Sequence, residues 1–124
     1  MILSIQNGYG QFLDSKLYPV YDGDDLGLVY APKHSTFKIW SPRADAARII
    51  LYGSSLGNDK LGSYLMTKSE NGTWSITINH NLKGQYYVFQ VLVNDNWLAE
   101  VPDPYAKAVG TDGKRAVVVD LKET

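Results

Sequence analysis

The chain has 124 residues, of which twelve are basic, thirteen are acidic and 44% are hydrophobic, and its formal net charge is −1. This length suits one domain with its own core and excludes two domains of ordinary size. The absence of cysteine excludes disulfide frameworks, thiolate metal sites and thiol nucleophiles. The charge is balanced and there is no lysine–arginine cluster, so the chain lacks the basic surface that binds nucleic acid or anionic membranes.

The first thirty residues are rich in glycine with scattered aromatics, and we predict that 1–30 form an irregular N-terminal arm that can hold one short strand at 2–6. Within it, Asp22-Gly23-Asp24-Asp25 resembles the start of a calcium loop, but Leu26 and Leu28 break the ligand spacing and indicate a solvated turn. His34 and His80 each lack a second histidine at ligand spacing. We therefore expect no metal site and no cofactor.

From residue 31 onward the periodicity of hydrophobic residues is that of strands. The predicted strands cover 36–40, 48–52, 63–69, 73–79, 85–93, 97–101 and 116–121. Asn71-Gly72 predicts a tight hairpin turn between two of them and also accounts for Asn71-Gly72-Thr73, which formally fits a glycosylation acceptor. The fold class expected is all-β, an immunoglobulin-like β-sandwich of about seven strands over 31–124.

The segment Gly53–Gly57 matches the G-x-S-x-G pattern of a hydrolase nucleophile. That chemistry needs a helix directly after the serine and an α/β sheet, and the residues that follow are turn formers, so Ser55 is predicted to lie in an ordinary loop. The acidic residues stand in turns beside glycine, asparagine or proline, where water keeps carboxylates ordinary and no facing pair forms. We expect no catalytic residue and no enzyme activity in this chain.

Nine tyrosines and three tryptophans give the chain many large amphipathic rings. Trp97 follows the turn Asn94-Asp95-Asn96, where an indole can stack on a sugar ring while amides reach its hydroxyls. Trp97, Asn96 and Tyr86 are therefore the candidate carbohydrate-binding residues. The alternative, in which Trp97 starts the next strand and faces the core, remains open from the sequence alone.

Several stretches follow one order along the chain: Tyr21-x-Gly23-x-Asp25-Leu26-Gly27 with Tyr30, Phe37-x-Ile39-Trp40-x-Pro42-x-Ala44, Trp74 after Asn71-Gly72, Gly84-x-Tyr86-Tyr87-x-Phe89, Asp103-Pro104-Tyr105-Ala106-Lys107-Ala108-Val109, Asp112-Gly113-Lys114-Arg115 and Val118-Val119-Asp120-Leu121. Together they resemble the carbohydrate-binding module family 48 domain that stands at the N-terminus of type I pullulanases, in glycoside hydrolase family 13. The resemblance covers about residues 21–121, and Asp-Pro-Tyr-Ala is its most specific part.

This resemblance implies an immunoglobulin-like sandwich that precedes an α-amylase-type barrel, which cleaves α-1,6 branch linkages and carries all the catalytic carboxylates. Glycogen-binding members of the family line their sugar site with two tryptophans and a lysine. Trp97 matches one tryptophan, Val88 stands in the place of the lysine, and the loop 54–60 has no tryptophan. The expected function is a non-catalytic accessory domain that packs on the barrel and assists binding of α-glucan such as glycogen, starch or pullulan.

Pro102 and Pro104 remove two backbone donors, so the segment 103–109 is predicted to cross the surface although it carries several apolar residues. We predict that Asp103 and Tyr105 form an inter-domain contact, in which the Asp103 carboxylate caps nearby amides and the Tyr105 ring lies against the sandwich edge or the catalytic barrel. The partners expected are thus the barrel of the same parent chain and α-glucan, with the chain itself a monomer.

Two other functions are kept as alternatives: an autonomous starch- or glycogen-binding module, and an immunoglobulin-like adhesion module. Met1 is not followed by a basic and then apolar leader, which counts against the adhesion function, and the compartment is left open.

Overall fold

The computed structural model describes residues 21–106, 108–110 and 113–121. Within these ranges, nine strands form two antiparallel sheets, and Glu70–Gly72 form a single turn between two of them. The strands are β1 (Gly27–Tyr30), β2 (Ser35–Trp40), β3 (Ala46–Tyr52), β4 (Lys60–Leu65), β5 (Thr67–Lys68), β6 (Thr73–Ile78), β7 (Tyr86–Val93), β8 (Asn96–Trp97) and β9 (Ala116–Val117). The expectation of an all-β sandwich is confirmed.

Sheet A has the order β1-β2-β6-β5, and sheet B has the order β4-β3-β7-β8 with β9 also paired to β7. Because side chains alternate along a strand, each strand with period-two hydrophobicity sends one set of residues into the space between the sheets. The buried core consists of Phe37, Ile39, Ala47, Ile49, Leu51, Met66, Trp74, Ile78, Leu82, Tyr87, Phe89, Val91, Ala116 and Val118. Its centre is aromatic: the rings of Phe37 and Tyr87 meet edge to face at 4.9 Å.

The predicted strand 63–69 is wrong as a single element. The chain leaves sheet B after Leu65 and enters sheet A at Thr67, so β4 and β5 belong to different sheets. Met66 lies at the crossing, buried in the core, and its amide donates to the carbonyl of Ala47 at 2.8 Å. The hairpin turn that follows is confirmed, since Asn71 and Gly72 have φ values of 52° and 82° and β5 pairs with β6.

Other predicted boundaries of the strands and of the arm also differ from those in the structure. The strand β1 lies within the predicted arm and pairs with β2 in sheet A, so part of the predicted arm belongs to the sandwich. The rest of the arm up to residue 20, including the short strand expected at 2–6, lies outside the described residues. The predicted strands 97–101 and 116–121 are reduced to two residues each, with single bridges at Val101 and Val109.

Candidate functional site

The outer face of sheet B, directed away from the core, carries an unusual concentration of large side chains. Directly paired residues of antiparallel strands lie on the same face, and the pairs on this face are Arg48 with Gln90, Ile50 with Val88, Tyr52 with Tyr86, and Leu92 with Trp97. Three of these residues, Ile50, Tyr52 and Val88, form a second apolar cluster in which Tyr86 packs. Val88 is only 1% exposed, so the side chains around it cover the middle of the face.

Trp97 stands at one end of this face. The guanidinium carbon of Arg48 lies 4.0 Å from the centre of the indole ring, within range of a cation–π contact. The Nε–H of Arg48 donates to Gln90 Oε1 at 2.9 Å, and Gln90 Nε2 donates to the carbonyl of Leu98 at 3.0 Å. The indole is half-buried and belongs to the outer face, so the core-facing alternative for Trp97 is wrong.

Tyr52 marks the opposite end. The guanidinium carbon of Arg115 lies 3.4 Å from the centre of its ring, and its hydroxyl donates to the Glu100 carboxylate at 2.9 Å. Burial, and then the hydrogen bond to Glu100, raise the pKa of the Tyr52 hydroxyl. The phenol therefore remains a donor to Glu100 at neutral pH.

Arg115 also holds the loop between β3 and β4 in place. Its Nη1 donates to the carbonyl of Ser54 at 2.9 Å and its Nη2 to that of Gly57 at 2.7 Å, and Asp59 lies 3.7 Å away. Beside this loop is an open polar pocket of about 510 Å³. It is lined by Ser55, Leu56, Gly57, Glu100, Pro102, Gly113, Lys114 and Arg115. The carboxylate, guanidinium and backbone groups of this lining suit a neutral ligand rich in hydroxyl groups.

The structure places the three predicted sugar-binding residues on one sheet without gathering them at one point. Trp97 and Tyr86 share the outer face, but six positions of β7 separate Tyr86 from the partner of Trp97, a span of about 20 Å. Asn96 is paired with Val93 and so takes the other parity, and its Nδ2 donates to the carbonyl of Asn94 at 3.1 Å within the turn. A ligand that touches both rings must therefore be extended along β7.

Asp103 lies inside the domain, 3% exposed. Its Oδ2 accepts a hydrogen bond from the Tyr87 hydroxyl at 2.8 Å, and its Oδ1 accepts one from the Tyr105 amide at 2.8 Å. The predicted cap on a nearby amide is thus present. Burial, and then the Asp103 charge, raise the pKa of the half-buried Tyr105 phenol. Tyr105 lines an apolar groove of about 180 Å³ with Leu28, Tyr30, Ala106, Val117, Val119, Asp120 and Leu121.

The fold also explains the two sequence motifs that we rejected as functional sites, the serine loop at 53–57 and the acidic turn at 22–25. Residues 53–58 are a chain of bends, as predicted, and no helix follows Ser55. Asp25 from the acidic turn pairs with Lys38 at 3.0 Å and accepts a hydrogen bond from Tyr21. The Tyr21 hydrogen bond, and then that from Lys38, lower the pKa of the Asp25 carboxyl. This turn therefore serves to attach the entering chain to β2.

Sequence reasoning missed Arg48, Gln90, Tyr52 and Arg115 as members of the outer face. All four contact residues distant in sequence, so their partners depend on the pairing register rather than on spacing along the chain. The one available signal was an arginine inside an otherwise apolar strand, at Arg48. Within the described ranges, no helix has the length and hydropathy needed to cross a membrane.

Comparison with known families and structures gives one consistent result. The family model for carbohydrate-binding module 48, the isoamylase N-terminal domain, matches residues 25–106. The chain is 38% identical over 106 residues to a pullulanase of Bacillus subtilis, covering 86% of this chain and 14% of that protein. It is 33% identical over 118 residues to a pullulanase of Klebsiella pneumoniae, covering 90% of this chain and 11% of that protein.

Solved structures agree with these matches. The crystal structure of a Paenibacillus barengoltzii pullulanase in complex with maltohexaose and α-cyclodextrin superposes with a TM-score of 0.83 and 36% identity. That comparison covers 97% of this chain and 18% of the larger one. A pullulanase from Bacillus acidopullulyticus superposes with a TM-score of 0.79 and 38% identity, covering 86% of this chain and 13% of that one. In each case the likeness is to one domain of a much longer protein.

Proposed function

The chain belongs to the carbohydrate-binding module 48 family, and we propose that it is the non-catalytic N-terminal accessory domain of a pullulanase-type glycoside hydrolase that cleaves α-1,6 branches of α-glucan. The observation that carries this proposal is that 86% of the chain matches only 14% of a pullulanase. The catalytic carboxylates of such an enzyme would then lie in another part of the polypeptide. The domain contributes binding and packing.

For binding, the proposal rests on the outer face of sheet B. The half-buried indole of Trp97 and the ring of Tyr86 offer stacking surfaces to the apolar faces of glucose units, and the polar pocket beside Glu100 and Arg115 offers donors and acceptors to hydroxyl groups. Asn96 remains a proposed contact through its exposed position beside Trp97. With few aromatic contacts we expect millimolar affinity, about −4 kcal/mol.

For packing, the proposal rests on the groove beside Tyr105. Its lining is mostly apolar and comes from both sheets, and the exposed side chains of Val109 and Leu121 lie in the neighbouring segments. A buried Asp103 fixes the backbone of Tyr105 from below. The catalytic barrel of the parent chain is the proposed partner of this groove, and the domain itself is proposed to be a monomer.

Affinity electrophoresis of the 124-residue chain in gels containing glycogen or amylopectin tests the binding part. We expect slight retardation that Trp97→Ala abolishes and that Tyr64→Ala, on the exposed edge strand β4, leaves unchanged. Strong retardation by this chain alone would favour the autonomous binding module, and unchanged mobility in every α-glucan would contradict α-glucan binding.

A hydrolysis assay tests the accessory role. The chain alone should release no reducing sugar from pullulan, because the proposed catalytic carboxylates lie in another part of the polypeptide, since this chain matches only 14% of a pullulanase. Turnover by a purified sample that Glu100→Gln or Asp59→Asn abolishes would contradict the proposal.

A further inference from the structure

Arg48 and Gln90 are connected to Trp97 by a ring of contacts that spans three strands. Arg48 on β3 donates to Gln90 on β7, Gln90 donates to the carbonyl of Leu98, and Leu98 directly follows Trp97. The last contact of this ring is between the guanidinium of Arg48 and the indole of Trp97, whose centre lies 4.0 Å from the guanidinium carbon. Both the side chain of Trp97 and the backbone beside it are therefore held by the same pair.

The contact with Arg48 leaves the two faces of the indole unequal. A guanidinium stacked at 4.0 Å fills the space that a sugar ring would need on that face. Moving it away would break both the ring contact and the hydrogen bond to Gln90. The face opposite the guanidinium is the one that remains for a ligand.

We infer that Arg48, supported by Gln90, is a positioning residue that restricts α-glucan stacking at Trp97 to the indole face opposite its guanidinium. This inference rests on the proposed function, because it assigns the orientation of the same sugar contact. A planar guanidinium is needed for the role, since an ammonium group can neither stack flat on the ring nor reproduce the directed Nε hydrogen bond to Gln90.

The test compares the chain with Arg48→Ala and Arg48→Lys, and with Lys33→Ala as a control that also removes one positive charge. Lys33 is exposed in the turn between β1 and β2, on the other sheet. The affinity for glycogen in the gels should fall about 3- to 10-fold for both Arg48 variants, because a side chain that Arg48 no longer holds must be ordered on binding. The affinity should not change for Lys33→Ala. Thermal melts verify that each variant is folded.

A second measurement separates positioning from general stability. In ¹H–¹⁵N NMR spectra the indole N–H signal of Trp97, identified by its loss in Trp97→Phe, should shift in both Arg48 variants before any sugar is added, while the indole signal of the core residue Trp74 stays in place. Gln90→Leu should produce a smaller shift in the same direction, and it replaces the Arg48 variants if these do not fold.

The outcomes distinguish the inference from the function on which it rests. If the unmodified chain is not retarded by any α-glucan, the binding function fails and the positioning role fails with it. If the unmodified chain is retarded and Arg48→Ala binds equally well, only the positioning role is wrong. Stronger retardation of Arg48→Ala would show that the guanidinium blocks the face that the glucan uses, which also overturns the inference.

Discussion

At the scale of single residues, the pair of Tyr87 and Asp103 connects the core to the surface segment that precedes the groove. Tyr87 is fully buried, and Asp103 accepts hydrogen bonds from both its hydroxyl and the Tyr105 amide. Burial, and then the Asp103 charge, raise the pKa of the Tyr87 phenol well above its ordinary value of 10.0. The phenol thus stays protonated in the folded state where it would ionise in the unfolded chain.

This raised pKa predicts a loss of stability in alkali. Above pH of about 10 the unfolded chain releases the Tyr87 proton and the folded chain does not, so the free energy of unfolding falls with rising pH by up to about 1.4 kcal/mol per unit. The contribution is fully present below a pH of about 10. Tyr87→Phe should cost about 1–3 kcal/mol at neutral pH, because it removes a donor from a buried carboxylate, and its deficit should shrink in stronger alkali.

Urea unfolding of both proteins from neutral pH to a pH of about 11.5 measures this difference. Phe89→Leu is the matched control, since it removes volume from the same aromatic cluster without a titrating group, and its deficit should remain constant. A deficit of Tyr87→Phe that did not change with pH would mean that the phenol ionises equally in both states.

Residue identity explains why Asp103 could be assigned from the sequence and Arg48 could not. A carboxylate between two prolines has few conformations and finds its nearest partner in the following amides, which are local in sequence. Arg48 meets Gln90 and Trp97, which both lie far along the chain. Only the register of β3 on β7 and of β7 on β8 brings these groups together.

At the scale of elements, strand β1 joins sheet A at a glycine that no other residue can replace without cost. Gly27 has a φ of 94°, and a Cβ at this position would lie 2.8 Å from the Cβ of Tyr105 and 3.3 Å from an Asp103 carboxylate oxygen. The close approach allows the edge strand to pack on the segment that carries the groove. Sheet A and the 103–106 segment are therefore coupled at one point.

Gly27→Ala should lower the free energy of unfolding by about 2–4 kcal/mol, of which about 1 kcal/mol comes from the positive φ and the rest from overlap with Tyr105. Gly84→Ala is the matched control, because Gly84 has a φ of 85° and a Cβ added there would meet no atom within 4 Å. It should cost only about 1 kcal/mol. Equal losses in chemical unfolding would contradict the close contact.

In the turn between β7 and β8, introducing a glycine is expected to stabilise the domain. Asn94 and Asp95 have φ values of 51° and 66°, a conformation that glycine adopts more readily than aspartate. Asp95→Gly should therefore raise the free energy of unfolding by about 0.5–1 kcal/mol, and Asp95→Val should lower it. Thermal melts decide the matter, and a lower melting temperature for Asp95→Gly would show that the aspartate side chain itself stabilises the turn.

The long central strands could be predicted because period-two hydrophobicity is a local signal, as in β2, β3, β6 and β7. The change of sheet at Met66 could not be predicted from the sequence. A strand that changes sheets keeps the same alternation on both sides of the crossing, and only the position of the partner strands tells which sheet it joins. The short strands β1, β8 and β9 likewise depend on long neighbours more than on their own composition.

At the scale of the whole molecule, the two proposed surfaces are carried by different parts of the sandwich. Trp97 and Tyr52 lie on the outer face of sheet B, whereas the groove beside Tyr105 is lined by Leu28 of sheet A together with the segment after β9. Packing against a catalytic barrel through the groove would leave the Trp97 end of the outer face accessible, whereas the other end adjoins the groove because Val117 of the groove pairs directly with Tyr86. An accessory domain that contacts enzyme and glucan at the same time needs this separation.

Tyr105→Ala tests the groove. Because the ring is only half-buried, the substitution should cost the isolated chain about 1 kcal/mol and should cost clearly more in a longer polypeptide that includes the barrel. Thermal melts of both forms measure this, with Tyr64→Ala on the exposed edge strand as the control. An equal loss in both forms would show that Tyr105 serves only the sandwich, and lost glycogen retardation with unchanged melts would place it in a sugar site.

One edge of β7 pairs with β3, and the other is covered by three short segments. On that edge β9 pairs with Tyr86 and Tyr87, Val101 bridges Phe89, and β8 pairs with Leu92 and Val93. The strand beneath, Tyr86–Val93, contains no charge, proline or glycine, which is the composition that favours cross-β fibril assembly once a backbone edge is open. Proteolytic nicking between Leu98 and Ala116 would separate β9 from the fragment that carries β7 and β8, and would so open part of that edge. The short strands thus act as a barrier to self-association of the domain's own central strand.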